Sequence, residues 1–272
     1  METPISDQQL SIILTDLLDI YGYDFTAYAK ASLKRRINRV YALDRFPSFA
    51  EFRYKLRMDQ GYFNRFIEQL TVNVTEMFRD PLFYKAILTE VFPVLATYPL
   101  IRIWHAGCST GEEVYSAAIL LKEAGLLHKS ILYATDIIAE VVKKATSGIF
   151  PIKHMQQNSF NYQKAGGREE FSRYYTAGYD HALFDKALRE RMVFSTHNLV
   201  SEGSFNQFQL IFCRNVLIYF ERDLQSRVFS LFDESLDQLG YLALGSKETL
   251  RLSHMASRFR QLGKENIWRK VQ

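Results

Sequence analysis

The stretch IRIWHAGCSTGEEVYSAAILLKEAG, residues 101–125, decides how the chain is read. Its first six residues form a short apolar run rich in β-branched and aromatic side chains, as a buried strand requires. A turn follows, Gly107-Cys108-Ser109-Thr110-Gly111, and from Glu112 onward apolar residues recur at helical spacing. A glycine-bearing turn between the carboxyl end of a strand and a helix lets backbone approach a ligand closely. In an open α/β sheet that is the usual place for a cofactor. Two features argue against a phosphate here: no Lys-Ser or Lys-Thr follows the glycines, and Glu112 and Glu113 would repel a pyrophosphate from the helix start. A neutral or cationic ligand is preferred.

Outward from this unit, short apolar runs alternate with helical patterns: ILYAT at 131–135, MVFST at 192–196, QLIFC at 209–213, YLALG at 241–245 and IWRKV at 267–271. Strands alternating with helices predict a mostly parallel sheet with helices on both faces. Residues 8 to about 97 read instead as a series of helices, because apolar residues recur at helical spacing and β-branched runs are scarce. Between about 148 and 190 a polar, aromatic stretch interrupts the alternation, and YYTAGYDHALF at 174–184 could form a small hairpin about Ala177 and Gly178. The second strand ends at Asp136, roughly 25 residues past the glycine turn, where an acidic residue conventionally accepts hydrogen bonds from ribose hydroxyls. S-adenosylmethionine fits the site's preference, since its sulfonium and amino group are positive and it carries no phosphate. The same residues admit plainer readings: Glu112 and Glu113 as first-turn acids favoured by the helix dipole, and Asp136 as an N-cap.

Composition narrows the class. A chain of 272 residues with only two cysteines, Cys108 and Cys213, both in apolar runs, needs no disulfide framework and fits a reducing compartment. The opening METPISDQQL lacks an apolar leader core, and no apolar run reaches the roughly 18 residues of a membrane span. A cytoplasmic protein with no membrane insertion is expected. Net charge is only +4, which implies no general nucleic-acid affinity. The charge is concentrated, however: residues 26–45 carry six basic side chains and one acid, whereas residues 1–100 hold twelve of each sign. In that segment Leu33, Ile37 and Val40 share one helical face, while Arg35 and Arg39 stack one turn apart on another with Arg36 beside them.

Four motifs in order, NVTEMFRDPLFY at 73–84, IRIWHAGCSTGEEVYSAAILL at 101–121, THNLV at 196–200 and FCRNVLIYF at 212–220, together with YAKASLKRRINRV near the start, resemble the CheR family of chemotaxis receptor methyltransferases. The likeness runs from about residue 10 to the end. It implies an α/β protein: a small all-helical domain, residues 1–85, that recognises the receptor, and a Rossmann-like class I methyltransferase domain, residues 86–272, with a small β-subdomain at about 172–190. The implied reaction is O-methylation of glutamate side chains on chemoreceptors by S-adenosylmethionine, leaving S-adenosylhomocysteine, with no metal. By the same resemblance Asn73, Thr75 and Arg79 reach the cofactor, Glu113 and Asp136 hold its amino acid and ribose portions, and Asn198 and Leu199 flank the adenine. Arg214 and Asn215 complete the pocket beneath the methyl group, and Arg79 and Tyr219 act on the reacting carboxylate. Lys34, Arg35, Arg36 and Arg39 are implied to face the acidic methylation helices of the receptor.

The chain departs from the family wording in places. TAGYDHALF lacks the Arg-Gly-x-Gly associated with tethering to a receptor's carboxyl-terminal pentapeptide, so the sequence gives that ability no support. Val114 stands where proline is usual and Lys247 where serine is common. An RNA substrate is disfavoured, because enzymes that methylate base amino groups usually carry an Asn/Asp-Pro-Pro-aromatic signature where this chain has CRNVLIYF. The same chemistry on another signalling protein, and a module that binds cofactor without transferring, remain as alternatives.

Overall fold

The computed structural model describes residues 4–71 and 75–272. Two compact units emerge, one of Met1–Val74 with Tyr219–Arg227, the other of Thr75–Ile218 with Val228–Gln272.

The first unit is built on α1 (Asp7–Tyr21), α2 (Lys30–Asp44), α3 (Phe49–Met58) and α4 (Gln60–Leu70). Local chemistry sets the ends of these helices. Ser6 and Gln9 form a capping box at the start of α1, Gly22 ends it in the left-handed conformation, and Ser48 and Asp59 cap α3 and α4. The apolar face of α2 is the expected one, with Leu33, Ile37 and Val40 all buried. One charged pair is built into this core: the Arg53 guanidinium grips Asp16 through Nε at 2.6 Å and a second nitrogen at 2.9 Å.

The second unit carries a seven-stranded sheet of order β6-β2-β1-β7-β8-β10-β9. Its strands are β1 (Ile101–Ala106), β2 (Ser130–Asp136), β6 (Met192–Thr196), β7 (Phe208–Cys213), β8 (Leu236–Leu244), β9 (Phe259–Leu262) and β10 (Ile267–Lys270). From β6 to β8 all pairings are parallel, and β10 and β9 close the edge antiparallel. The chain lays β2 and β6 on one side of β1 and β7 and β8 on the other, so order reverses beside β1. Ligands of open α/β sheets bind at such a reversal, outside the carboxyl ends of the strands. Helices α7 (Glu112–Glu123) and α8 (Ala139–Ser147) follow β1 and β2. All six strands expected from the sequence are present, whereas the short β9 was not foreseen.

A separate three-stranded antiparallel sheet, order β3-β5-β4, joins β3 (Ile149–Pro151) to the hairpin of β4 (Tyr175–Ala177) and β5 (His181–Phe184). The hairpin was expected about residues 177 and 178. Its partner strand at 149–151 lies upstream of the 172–190 span, since pairing across such a distance leaves no local signal.

The units divide earlier than the boundary expected after residue 85. The segment containing α5 (Pro81–Ala86), a π-turn over Ile87–Val91 and α6 (Phe92–Leu95) has helical periodicity like the helices before it. Its apolar residues Met77, Phe78, Phe83, Tyr84, Ile87 and Val91 nonetheless join the core of the second unit, with Ile103 and Phe212. The π-turn has a cause in Pro93, which lacks an N–H and crowds the preceding turn. The helices α9 (Met155–Lys164), α10 (Lys186–Arg189) and α11 (Arg222–Ser235) complete the described chain. Among the described residues no helix is long and apolar enough to cross a membrane. Both cysteines are buried and unpaired.

The turn after β1 is tightly constrained. Gly107 has φ 80°, and a Cβ there would run into the Val216 side chain. Gly107→Ala should therefore lower unfolding stability by at least ~1–3 kcal/mol, the scale of left-handed strain at a residue with a side chain. Adding Val216→Ala should restore the part due to collision. Denaturant midpoints at constant slope measure both, and equal stability of Gly107→Ala and wild type would refute the close packing.

Candidate active site

The second unit gathers most of the expected site residues at the carboxyl ends of its parallel strands. At the end of β1 the glycine turn is held by the chain itself: the Gly107 and Cys108 amides donate to the Thr135 carbonyl at 2.8 and 2.9 Å. Asp136, which ends β2, accepts the Ser109 amide at 2.9 Å on one carboxylate oxygen and the Ile138 amide at 3.1 Å on the other. Burial pushes the Asp136 carboxyl up, against the lowering effect of these amides. Asp136 therefore fixes the turn, and its carboxylate keeps acceptor capacity for a further donor. The next strand brings a second segment alongside, because Thr196 of β6 pairs with Asp136 and the His197 amide donates to the Asp136 carbonyl. Asn198 and Leu199 follow directly. The Asn198 side chain accepts the Val200 amide at 2.9 Å, which shapes the turn, and Leu199 is buried.

Arg214, just past β7, is the hub of a charge network. Its guanidinium donates to Asp80 at 2.7 Å, to the Arg79 carbonyl at 3.1 Å and to Glu113 at 3.4 Å, and it lies over the Phe83 ring at 4.1 Å. The other Glu113 oxygen faces His105 Nδ1 at 3.0 Å, and the His105 ring stacks on Phe212. Burial alone would raise the Glu113 carboxyl, but His105 and Arg214 outweigh it and hold it below the ordinary glutamate value. Glu112 behaves differently. It is buried, accepts the Thr110 hydroxyl at 2.7 Å and is pushed up by burial.

Asn215 stands at φ 62°, and four backbone amides explain how that conformation is held. Glu248, a buried carboxylate, accepts the amides of Asn215, Val216, Leu217 and Gly245 at 2.9, 2.9, 2.8 and 2.6 Å. Burial raises its pKa against the pull of those donors. Sequence reasoning missed Glu248, His105 and the role of Asp80. GSKETL after an apolar strand was the only available signal for Glu248, and nothing in the spacing marks His105, eight residues before Glu113.

Of six non-glycine residues with positive φ among the described residues, four lie in these segments: Phe78, Asp80, Ser109 and Asn215. Backbone strain concentrates where a site demands it. Ser109 Oγ, His105 Nε2 and Arg214 Nε are among the buried polar atoms here that have no hydrogen-bond partner among the described residues. Unsatisfied donors and acceptors beside a glycine turn fit a polar ligand. Thr75 and Arg79 are half-buried nearby in sequence, in a stretch anchored by the Met77 amide on Asn158 and the Phe78 amide on Ser116. Asn73 lies outside the described residues.

The remaining expected residues belong to the first unit. Tyr219 is among them, with the Arg36 guanidinium 4.5 Å from its ring centroid. Of the four basic residues expected to face the receptor, Arg35 and Arg39 are exposed, and Lys34 and Arg36 are half-buried. Lys34 pairs with Asp7 at 2.6 Å, and Arg36 is turned inward, donating to the Leu70 carbonyl and the Ser32 hydroxyl. The four basic side chains thus do not form one outward patch.

Comparison with known proteins adds the following. The family profile described as CheR methyltransferase, all-alpha domain, matches residues 8–71, and that described as CheR methyltransferase, SAM binding domain, matches residues 73–267. A Pseudomonas putida protein that carries the name Cher3 is 44% identical over 268 residues, covering 97% of each chain. A chemotaxis protein methyltransferase of Listeria monocytogenes is 31% identical, covering 84% of this chain and 85% of its own, and one of Borreliella burgdorferi is 29% identical, covering 91% and 90%.

Two consequences are testable. In Glu248→Gln the amide offers one acceptor oxygen where the carboxylate uses two, so backbone donors face an NH2 group. Stability should fall by ~1–3 kcal/mol, and affinity for S-adenosylhomocysteine should fall with it. Calorimetry showing unaltered affinity would detach the 214–217 loop from the cofactor. The second concerns pH. Because the folded pKa of Glu113 is depressed, its stabilisation is fully present above the ordinary value of 4.5 and is lost as pH falls through the lower folded value. The deficit of Glu113→Gln in urea unfolding should shrink below that pH, and a deficit constant with pH would refute the network.

Proposed function

Because the chain belongs to the CheR methyltransferase family and so carries an S-adenosylmethionine-binding methyltransferase domain, we propose that it esterifies glutamate side chains on chemoreceptors as part of chemotactic adaptation. The observation that carries this reading is the tandem match of both family halves over residues 8–71 and 73–267, supported by relatives named as chemotaxis protein methyltransferases.

The chemistry suits the residues at hand. A glutamate side chain is ionised at neutral pH, its unperturbed pKa being about 4.3, so it needs no general base. When bound, S-adenosylmethionine supplies an electrophilic methyl group on a positive sulfur. What remains for the protein is to align the carboxylate and strip its water. Arg79 suits alignment, since a guanidinium grips a carboxylate through two parallel hydrogen bonds. Tyr219 offers one further donor. Glu113, kept ionised by its neighbours, matches the positive amino group of the cofactor, and Asp136 retains acceptor capacity for ribose hydroxyls. Asn198 and Leu199 provide a polar and an apolar contact for adenine, while Thr75, Arg214 and Asn215 line the methyl end. Asn73 is assigned with them by resemblance alone.

For recognition, Arg35 and Arg39 are the two of the four assigned basic side chains that an acidic receptor helix could meet in solvent. Electrostatic complementarity of this kind acts chiefly on encounter rate and register.

The direct test is transfer of labelled methyl from S-adenosylmethionine to receptor cytoplasmic domains, followed by mild alkali. Release of the label identifies a carboxyl ester, whereas alkali-stable label would exclude glutamate esterification. On the same assay, replacing Arg35 and Arg39 together by alanine should raise receptor KM and flatten its dependence on salt, with cofactor affinity intact. Wild-type KM at low and high salt would remove α2 from recognition.

A further inference from the structure

We propose that Arg36 is a positioning residue that sets the ring of Tyr219 for the transfer step, rather than a contact for the receptor. The inference rests on the reading of Tyr219 as a group that acts on the reacting carboxylate.

The Tyr219 backbone is stitched to the segment that leads into α2. The Ala29 amide donates to the Tyr219 carbonyl at 2.9 Å, and the Glu221 amide donates to the Ala27 carbonyl at 3.1 Å. Between them Tyr28 and Phe220 form an antiparallel bridge, with their rings edge-on at 4.8 Å. These contacts fix where the Tyr219 Cα lies but leave the side chain its own torsions. The ring has a neighbour in Arg36, whose guanidinium carbon lies 4.5 Å from the ring centroid, within the range of a cation–π contact.

Arg36 is itself held. One terminal nitrogen donates to the Leu70 carbonyl at the end of α4, at 2.6 Å, and the other to Ser32 Oγ one turn back on α2, at 3.0 Å. No carboxylate is paired with it among the described residues, and burial lowers its pKa. A half-buried cation bonded only to neutral acceptors is a costly way to tie two helices, because desolvation disfavours the charge. The electron-rich ring face is the group nearby that repays a positive charge, and the planar fork lets one guanidinium bond to two acceptors and stack at the same time. Neighbouring residues on one helix thus take opposite directions: Arg35 and Arg39 point to solvent, and Arg36 points to Tyr219.

The difference is kinetic. Arg36→Ala should lower kcat by about tenfold or more, as expected for loss of an alignment used in the transition state, with receptor KM within about twofold of wild type. Arg35→Ala with Arg39→Ala should do the reverse. In a Tyr219→Ala background, Arg36→Ala should cost little more, since the ring through which it acts is gone. Arg36→Lys keeps the charge but not the fork and should recover part of kcat. It also serves should the alanine variant fold poorly. Independently of activity, the ring resonance of isotope-labelled Tyr219, assigned by its loss in Tyr219→Phe, should shift in Arg36→Ala.

Different failures have different signatures. If Tyr219→Ala leaves kcat unchanged, the reading of Tyr219 falls and this proposal falls with it. If Tyr219→Ala lowers kcat while Arg36→Ala does not, or if the two losses simply multiply, only the positioning role of Arg36 is overturned. A rise in receptor KM with kcat intact would return Arg36 to the receptor-facing patch.

Discussion

The guanidinium of Arg214 is the interaction on which the second unit's site depends. It joins three segments that are far apart in the chain: the MFRD stretch through Asp80 and the Arg79 carbonyl, the start of α7 through Glu113, and the end of β7 from which it springs. A buried arginine must be paired, since unpaired charge away from water is costly. Two carboxylates and a carbonyl answer that requirement, and Phe83 covers the flat face. In meeting it they fix where Arg79 and Glu113 stand, and His105 completes the pairing of Glu113. The ligand end of the site is thereby assembled around one cation.

Two further carboxylates act on backbone rather than on charge. Asp136 pins the turn after β1, and Glu248 pins the loop after β7, each by accepting main-chain amides on both of its oxygens. The two loops belong to adjacent parallel strands, so their closeness follows from the sheet order, and Gly107 lets them approach where a Cβ would strike Val216. Ser109 and Asn215, each in the left-handed region, are the residues these carboxylates hold. The strain is thus local and has an identified restraint beside it.

In the first unit the same helix faces three ways. Its apolar stripe enters the core, Arg35 and Arg39 are solvated, and Arg36 is bound between the end of α4 and the Tyr219 ring. Charge alone does not distinguish these basic residues. Direction around the helix does, together with the acceptors that each direction meets.

Much of this was legible in the chain itself. Period and turn chemistry specify the parallel strands, the glycine turn and the capped helices, because those signals are local and every residue carries its share. The order of motifs identifies the family for the same reason: it is written in sequence. What the sequence alone did not decide is which distant groups meet. The helical segment after residue 75 has the periodicity of the helices before it, and only packing assigns its Phe78, Phe83 and Tyr84 to the sheet's core. Tyr219 reads as part of a strand-end motif, yet it folds with α2 through hydrogen bonds to residues about 190 positions earlier. Glu248 has no marking signal of its own in the sequence, four residues past the end of β8, yet it is the anchor of four amides. In each case the deciding energy is the pairing of a buried charge or amide with a partner remote in sequence, and such partners acquire neighbours only when the chain has folded.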